Sequence, residues 1–268
     1  MTFASLNGIR LHYELFGDGP RLIVFNGSGT TIESSRIMLE QLAGRFTVLV
    51  HDQRGLGQTT VPESATMADY AADGAALLDH VGWETCAVYG ISFGGMVAQE
   101  FAVTWPRRVD RLALLCTSSG GAGGSSYPLH TMAALPPAER RAQSRFNLDT
   151  RFTTEWLAQH PDTLRMVEGI EAANDEATST KSAERLRGER LQLMARSNHD
   201  VYDRLPRISC PTLIACGRYD GIAPATNSEA IHARIATSRI EHYEGGHLFL
   251  YQDRRAWSDI VEFLASPE

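Results

Sequence analysis

The chain has 268 residues, of which 43% are hydrophobic and 21% are charged, and its formal net charge is −7. This length allows one or two domains with a large buried core. The acidic balance speaks against a nucleic-acid-binding protein, which needs a basic face for phosphates, and no apolar run is long enough to span a bilayer.

Predicted strands and helices alternate along the first part of the chain. Two extended segments come first, 2–5 and 9–16, with the turn pair Asn7-Gly8 between them. Short apolar runs bounded by glycine or proline are typical of strands buried on both faces, and they occur at 22–25, 46–50, 86–89, 112–116 and 212–216. Helical patterns lie between them at 33–43, 67–81 and 96–103. The alternation predicts a mostly parallel sheet wrapped by helices, an α/β fold.

The alternation breaks between residues 118 and 205. This stretch opens with the glycine-rich segment 120–124 and contains no convincing strand. Its helical patterns lie at 136–146, 153–160, 162–175 and 179–194. We interpret 118–205 as a helical cap over the sheet and 1–117 with 206–268 as the core domain. The strand–helix pattern resumes at Pro211 and ends in a helix near 256–264.

The strongest local signal is Gly90-Ile91-Ser92-Phe93-Gly94, which lies between a predicted strand and a predicted helix. In a nucleophile elbow the chain turns so sharply that side chains at the two glycine positions would collide. The turn lifts the serine hydroxyl off the sheet and points the free N–H groups of the helix start at the reacting centre. The alternative is an ordinary glycine-rich turn around a serine. The flanking strand and helix favour a nucleophile.

A serine hydroxyl is a poor nucleophile without a general base. Of nine histidines, His247 alone lies in a short loop after the last predicted strand, where Gly245 and Gly246 free the backbone. Asp220 directly follows the run 212–216 and gives the chain order Ser–Asp–His. The alternatives are an unrelated core or surface histidine and a solvated turn aspartate. We predict Ser92, Asp220 and His247 to be the catalytic residues.

Cleavage of an acyl group also needs N–H donors for the oxyanion. The backbone of Phe93, directly after the serine, is one predicted donor. Ser28, in the loop 26–31, is the other, with Gly27 or Gly29 as alternatives. The cap is predicted to wall an acyl pocket, against the alternative of plain helix packing; the candidate residues are Met132, Phe146, Trp156 and Met166.

No cofactor and no metal are predicted. The block 52–59 lacks the third glycine of a dinucleotide fingerprint and the lysine of a P-loop, so we expect Asp52 and Arg54 to brace neighbouring loops. Zinc-binding spacings are absent from the sequence. The four cysteines, Cys86, Cys116, Cys210 and Cys216, form no C-x-x-C pair and are interpreted as core thiols.

The first ten residues lack the pattern of a secretory signal, so we expect a cytoplasmic protein. The expected partner is a small-molecule acyl substrate. The sequence leaves the oligomeric state open, a homodimer included.

Taken together, the motifs resemble the α/β-hydrolase superfamily, and the resemblance covers nearly the whole chain outside the cap. The motifs are Asn26-Gly27-Ser28-Gly29, Asp52-x-Arg54-Gly55-x-Gly57, Gly90-Ile91-Ser92-Phe93-Gly94-Gly95, Gly217-x-x-Asp220-x-x-x-Pro224 and Gly246-His247. The resemblance implies an eight-stranded, mostly parallel sheet with a helical cap between strands six and seven. It also implies the triad Ser92–Asp220–His247.

The subfamily is narrowed by departures from the family pattern. Haloalkane dehalogenases and epoxide hydrolases carry aspartate at the position of Ser92. The pair Asn26-Gly27 replaces the usual His-Gly and, with 246–250, is similar to intracellular polyhydroxyalkanoate depolymerases. The loop around Ser28 resembles that of meta-cleavage-product hydrolases, whose tryptophan after the catalytic histidine is replaced by Leu248 and Phe249. The elbow also fits the enol-lactonases.

These relationships imply a serine hydrolase that cleaves a small or medium-chain carboxylic ester or lactone through an acyl-enzyme. One alternative is C–C bond hydrolysis of a dienoic diketo acid, whose carboxylates would require an arginine reaching into the pocket. The other is a ligand-binding receptor on the same fold that does not catalyse.

Overall fold

An eight-stranded sheet forms the centre of the computed structural model, which describes residues 2–266. The spatial order is β1-β2-β4-β3-β5-β6-β7-β8, with β1 (Thr2–Leu6), β2 (Ile9–Phe16), β3 (Arg21–Phe25), β4 (Thr47–His51), β5 (Cys86–Ile91), β6 (Val109–Leu115), β7 (Thr212–Gly217) and β8 (Ser238–Tyr243). The pairs β1–β2 and β2–β4 are antiparallel and the others are parallel. The predicted eight-stranded, mostly parallel fold is confirmed.

Helices pack on both faces of the sheet, and further helices lie in the stretch between β6 and β7. They are α1 (Arg36–Ala43), α2 (Met67–His80), α3 (Phe93–Thr104), α4 (Pro137–Leu148), α5 (Thr154–Gln159), α6 (Pro161–Ser179), α7 (Ala183–Ser197), α8 (Ala225–His232), α9 (Phe249–Gln252) and α10 (Arg254–Ala265). Three predicted starts were wrong. The helix predicted from 179 begins at Ala183, where the Ser182 side chain caps it by accepting the Arg185 amide. The helix predicted from 33 opens with a 3-10 turn before α1, and the helix predicted from 96 begins at Phe93. Within residues 2–266, no helix has the length and apolar character needed to cross a membrane.

The strands separate two hydrophobic cores. In β3, Ile23 and Phe25 belong to the core under α2 and α3. Leu22 and Val24 belong to the opposite core, under α1 and α10. Because side chains alternate between the faces of a strand, a strand covered on both faces must be apolar throughout. This explains the continuous apolar runs in the sequence.

The helices α4 to α7 lie between β6 and β7 in the chain. The two ends of this stretch meet, because the Val201 amide donates to the Ser119 carbonyl at 2.9 Å. Helix α7 rests on the core at Gly188, where an added Cβ would lie 1.8 Å from the Gly55 carbonyl oxygen. The glycine therefore lets the helix lie directly on backbone. The division of the chain into a core domain and a cap of residues 118–205 stays a prediction.

The block 52–59 contains two buried carboxylate contacts that tie loops to the core. Asp52 accepts the amides of Ile32 and Gln58 at 2.8 and 2.9 Å. Arg54 donates to both oxygens of Asp73 at 2.8 and 2.7 Å. The expectation that Asp52 and Arg54 brace neighbouring loops agrees with these bonds.

Asp73→Ala is predicted to lower the free energy of unfolding by about 3–5 kcal/mol, because Arg54 would remain buried without its partner. The side chains of Asp73 and Arg54 are 0% and 6% exposed. Adding Arg54→Met should restore part of the loss. The measurement is denaturant unfolding.

The matched control is Asp162→Ala, which breaks an exposed pair with Arg165. Its cost should stay within about 1 kcal/mol. An equal loss in both single variants would contradict the assignment of Asp73 as the partner of a buried charge.

Candidate active site

Ser92 occupies the sharp turn between β5 and α3. Its φ is 55° and its ψ is −117°, a conformation that side-chain-bearing residues rarely adopt. A Cβ on Gly94 would lie 1.9 Å from the Phe25 carbonyl oxygen, and one on Gly90 would lie 2.6 Å from the Gly94 carbonyl oxygen. The strand and helix therefore approach each other closely enough to require glycine on either side of the serine.

Neighbouring backbone groups fix the position of Ser92. Its amide donates to the Leu115 carbonyl at 2.8 Å, at the end of β6. Its carbonyl accepts the Thr117 hydroxyl at 2.9 Å and the Gly95 amide at 2.9 Å. The serine is thus held to β6 and to the first turn of α3 while its side chain stays free for contact.

The structure brings the side chains of Ser92, His247 and Asp220 into one hydrogen-bonded chain. The distance from Ser92 Oγ to His247 Nε2 is 3.0 Å, and that from His247 Nδ1 to Asp220 Oδ2 is 2.8 Å. An ionised carboxylate only accepts hydrogen bonds. Nδ1 therefore carries the proton, and Nε2 is left to accept the Ser92 hydroxyl. This arrangement can draw a proton from the serine.

Asp220 is fully buried and has both carboxylate oxygens engaged. Oδ2 accepts from His247, and Oδ1 accepts the amides of Ile222 and Ala223 at 2.8 Å each. These amides offset part of the cost of burying the charge. The solvated turn aspartate that the sequence left open does not describe this residue.

The last turn of α4 braces the loops that carry His247 and Asp220. The His247 amide donates to the Leu148 carbonyl at 2.7 Å, and the Gly221 amide donates to the Asn147 carbonyl at 3.1 Å. A Cβ on Gly246 would lie 2.0 Å from the Leu148 carbonyl oxygen. The glycine beside the histidine is thus required by this close approach. These contacts could not be predicted from the sequence, since they join backbone atoms, and no motif marks the two residues that accept the hydrogen bonds.

The loop 26–31 lies beside Ser92, since a Cβ on Gly27 would be 3.8 Å from the Ser92 Cβ. The Gly29 amide already donates to the Gln192 side chain at 2.9 Å. Among residues 2–266, the Ser28 amide has no hydrogen-bond partner. The Phe93 amide opens α3 and has no helical acceptor of its own. The amides of Ser28 and Phe93 can therefore donate to a ligand.

Helix α7 fixes this loop through Gln192 and Arg185. Gln192 is 1% exposed and accepts from Gly29, while Arg185 donates to the Gly29 carbonyl at 2.6 Å. On the core side, Gln53 donates to the Asn26 carbonyl at 2.6 Å. The role of Gln192 as a support of the loop 26–31 could not be predicted from the sequence, because only the packing of α7 on the core turns this side chain toward the loop.

The four predicted pocket residues occupy different surroundings. Met132 Sδ accepts from the Asn147 amide group at 3.9 Å, and Trp156 stacks on His160 with ring centroids 3.6 Å apart. Phe146 and Met166 are 43% and 44% exposed. Within residues 2–266, no hydrogen bond or ring contact joins any of the four to the chain of Ser92, His247 and Asp220. Their pocket role stays a prediction.

Cys116 adds a thiol next to the acid and the base. Its Sγ and the ligand atoms of Asp220 and His247 lie within 4.8 Å of one another, a grouping that could hold a metal ion. Burial, with the nearby Asp220 charge, raises the pKa of this thiol well above its usual value. The thiol therefore stays protonated, while Asp220 and His247 are bonded to each other. Because the thiol is protonated and the other two groups bind each other, Cys116, Asp220 and His247 are poorly suited to hold a metal ion, and we assign them no metal role.

Comparison with known proteins identifies relatives over almost the full chain. The family described as "alpha/beta hydrolase fold" matches residues 20–253. The 3-oxoadipate enol-lactonase 2 of Acinetobacter baylyi is 24% identical over 95% of this chain and 92% of its own. The poly(3-hydroxyalkanoate) depolymerase of Ectopseudomonas oleovorans is 27% identical over 90% of this chain and 82% of its own. The crystal structure of a hydrolase from Pseudomonas aeruginosa is 28% identical, covering 99% and 98% of the two chains with a TM-score of 0.77.

Gly94→Ala is predicted to prevent folding or to cost several kcal/mol, since the new methyl group would meet the Phe25 carbonyl oxygen. Gly169→Ala is the control, because Gly169 lies within α6 with nothing within 4 Å of a new Cβ. It should stabilise the protein by up to about 1 kcal/mol. Denaturant unfolding measures both, and a well-folded Gly94→Ala variant of unchanged stability would contradict the described turn.

Proposed function

The chain belongs to the α/β-hydrolase family, and on that premise we propose that it is a serine hydrolase that cleaves a small or medium-chain carboxylic ester or lactone. The observation that carries the proposal is the hydrogen-bonded chain Ser92–His247–Asp220, with distances of 3.0 and 2.8 Å. The names of the enol-lactonase and depolymerase relatives support an acyl substrate. The substrate partner is a small molecule.

In the first step, Ser92 Oγ attacks the acyl carbon while His247 Nε2 takes the hydroxyl proton. The proton makes the imidazole positive, and Asp220, which holds Nδ1–H, stabilises that charge. The strained elbow keeps the hydroxyl at the carboxyl end of β5, so the attack requires little rearrangement of the backbone. A tetrahedral intermediate with one oxyanion results.

The amides of Phe93 and Ser28 stabilise the oxyanion. Both belong to backbone that other contacts already fix, the first by α3 and the second by the links of Gln53 and Gln192 to the loop 26–31. Donors that need no reorganisation stabilise a developing charge most effectively. His247 then returns its proton to the leaving alcohol, and the acyl-enzyme forms on Ser92.

In the second half, His247 removes a proton from water, which attacks the acyl carbon. The bond between this carbon and Ser92 Oγ then breaks, His247 returns the proton to Oγ, and the acid is released. A lactone follows the same course, except that the leaving alcohol stays attached to the acyl group. The steps use the side chains of Ser92, His247 and Asp220, the backbone amides of Phe93 and Ser28, and one water molecule. The four cysteines are free and buried, in keeping with the reducing cytoplasm that we propose as the compartment.

Ser92→Ala is predicted to lower kcat on p-nitrophenyl esters by at least about 10³-fold while leaving the protein folded, because it removes the nucleophile. Stopped-flow release of p-nitrophenol measures the turnover, and the wild type should show a burst. The burst separates an enzyme from a receptor, which releases no alcohol.

The matched control is Ser64→Ala, an exposed serine in the loop before α2, which should keep wild-type rates. Ser92→Ala retaining most of the activity would refute the assignment. Lactones and a dienoic diketo acid, assayed in parallel, decide between ester, lactone and C–C bond cleavage.

Asp220→Asn is predicted to lower kcat by about 10³–10⁴-fold with little change in KM, because an amide would favour the wrong tautomer of His247. Steady-state kinetics on the same esters measure both constants. Asp18→Asn, at an exposed turn residue, serves as the control. Normal turnover by Asp220→Asn would mean that another group orients the histidine.

A further inference from the structure

Arg196 near the end of α7 carries a buried positive charge that the mechanism does not use. It is 8% exposed, and its Nε donates to the Ser126 hydroxyl at 3.0 Å. In the part of the chain that the structure describes, its Nη1 is buried without a partner and the guanidinium forms no ion pair. Arg54, which is equally buried, is bound by both oxygens of Asp73.

A buried guanidinium without an anion is costly, because the protein interior replaces little of its lost hydration. Burial lowers the pKa of Arg196 to about 10, so the group is still protonated at neutral pH. The Asp220 charge acts on Arg196 from nearby, but both of its oxygens are committed to His247 and to two amides. Asp220 therefore does not complete the hydrogen bonds of Arg196.

Arg196 lines a cavity of about 90 Å³. The lining combines polar groups with apolar ones; the polar residues include Ser118, Ser126, Tyr127, Ser197 and His199, and the apolar residues are Pro128, Leu129 and Leu193. Since about 10–15 Å³ of cavity space is enough to hold one water molecule, the cavity can hold several waters or the end of a small carboxylic acid. Burial lowers the pKa of His199 to about 4, so this ring adds no charge at neutral pH.

Two sets of contacts connect the lining of the cavity to Ser92 and Asp220. Ser118 directly follows Thr117, whose hydroxyl donates to the Ser92 carbonyl. The Tyr127 amide donates at 2.7 Å to the carbonyl of Ile222, whose own amide binds Asp220. The lining of the cavity is therefore connected to the backbone of Ser92 and to Asp220, and it includes none of the three side chains Ser92, Asp220 and His247.

We propose that this cavity binds a carboxylate, which the guanidinium of Arg196 and the hydroxyl of Ser126 hold together. The Ser126 oxygen accepts from Nε, so its hydrogen is free to donate to the same anion. Arginine presents parallel N–H groups that match the two oxygens of a carboxylate. The carboxylate belongs either to the far end of the acyl substrate or to a free carboxylic acid.

A carboxylate at the far end of the acyl substrate is the first origin, and it rests on the proposed function. In that case the substrate is a half-ester or lactone of a dicarboxylic acid. Its test compares kcat/KM for p-nitrophenyl hydrogen adipate and for the neutral p-nitrophenyl hexanoate, with the other half-esters from succinate to pimelate added to vary the reach. The wild type should favour one half-ester over its neutral partner by about tenfold or more, as a charge-assisted hydrogen bond provides. Arg196→Met should lose that preference and keep its rate on the neutral ester.

Binding of a free carboxylic acid, the second origin, is tested without turnover. Free adipate or acetate, against sodium chloride at equal ionic strength, should raise the Tm of the wild type but not that of Arg196→Met. Because the substitution removes an unpaired buried charge, Arg196→Met without ligand should melt no lower than the wild type. Arg190→Met, at an exposed position of the same helix, should behave as the wild type in both assays.

If Arg196→Met loses the preference for the half-ester, the carboxylate belongs to the substrate. If only the rise in Tm with adipate or acetate is lost, the ligand is a free carboxylic acid. The proposal is overturned if Arg196→Met and wild type respond alike in both assays. It is also overturned if the substitution lowers both ester rates equally and lowers the Tm, since Arg196 would then be structural. If the wild type hydrolyses no ester, the proposed function fails, and the melting assay still decides whether the cavity binds a carboxylate.

Discussion

The turn between β5 and α3 leaves no space for a side chain on Gly90 or Gly94, and it holds Ser92 at a φ of 55°. A backbone strain of this kind costs about 1–3 kcal/mol and persists only where the surroundings enforce it. Here the sheet and α3 enforce it, because Leu115 and Thr117 bind the backbone of Ser92 from the neighbouring strand. The remaining groups of the site are placed relative to this one turn: the amide of Phe93 follows it, and the ring of His247 meets its hydroxyl.

The helices between β6 and β7 hold loops of the candidate site in place. The last turn of α4 holds the loops of His247 and Asp220 through the carbonyl groups of Leu148 and Asn147. Helix α7 holds the loop of Ser28 through Gln192. Gln192 and Arg196 are four residues apart and so lie on one face of α7, about one turn from each other. The proposed carboxylate site and the support of the oxyanion loop are thus on the same surface of α7.

The sequence sufficed where the physical requirement is local. The alternation of apolar strands with helices predicted the sheet. The glycines around Ser92 predicted a sharp turn, and in the structure a Cβ at Gly90 or Gly94 would collide with backbone atoms. The choice of Asp220 and His247 needed the chain order of a resembled family, since spacing alone leaves other histidines open. The contacts of Gln192, Leu148 and Arg196 could not be predicted, because they join residues far apart in the chain and depend on how α4 and α7 pack. The start of α3 was placed too late because Gly94 and Gly95 have low helix propensity, and only tertiary contacts make them helical.

Labelling with a fluorophosphonate tests the central claim most directly, because the reagent reacts with a serine only where a base and oxyanion donors activate it. If His247 and the oxyanion donors activate Ser92, the native protein carries one adduct per chain, on the peptide that contains Ser92, and denatured protein carries none. Native protein that stays unlabelled, or that carries the adduct on another residue, would contradict this activation of Ser92.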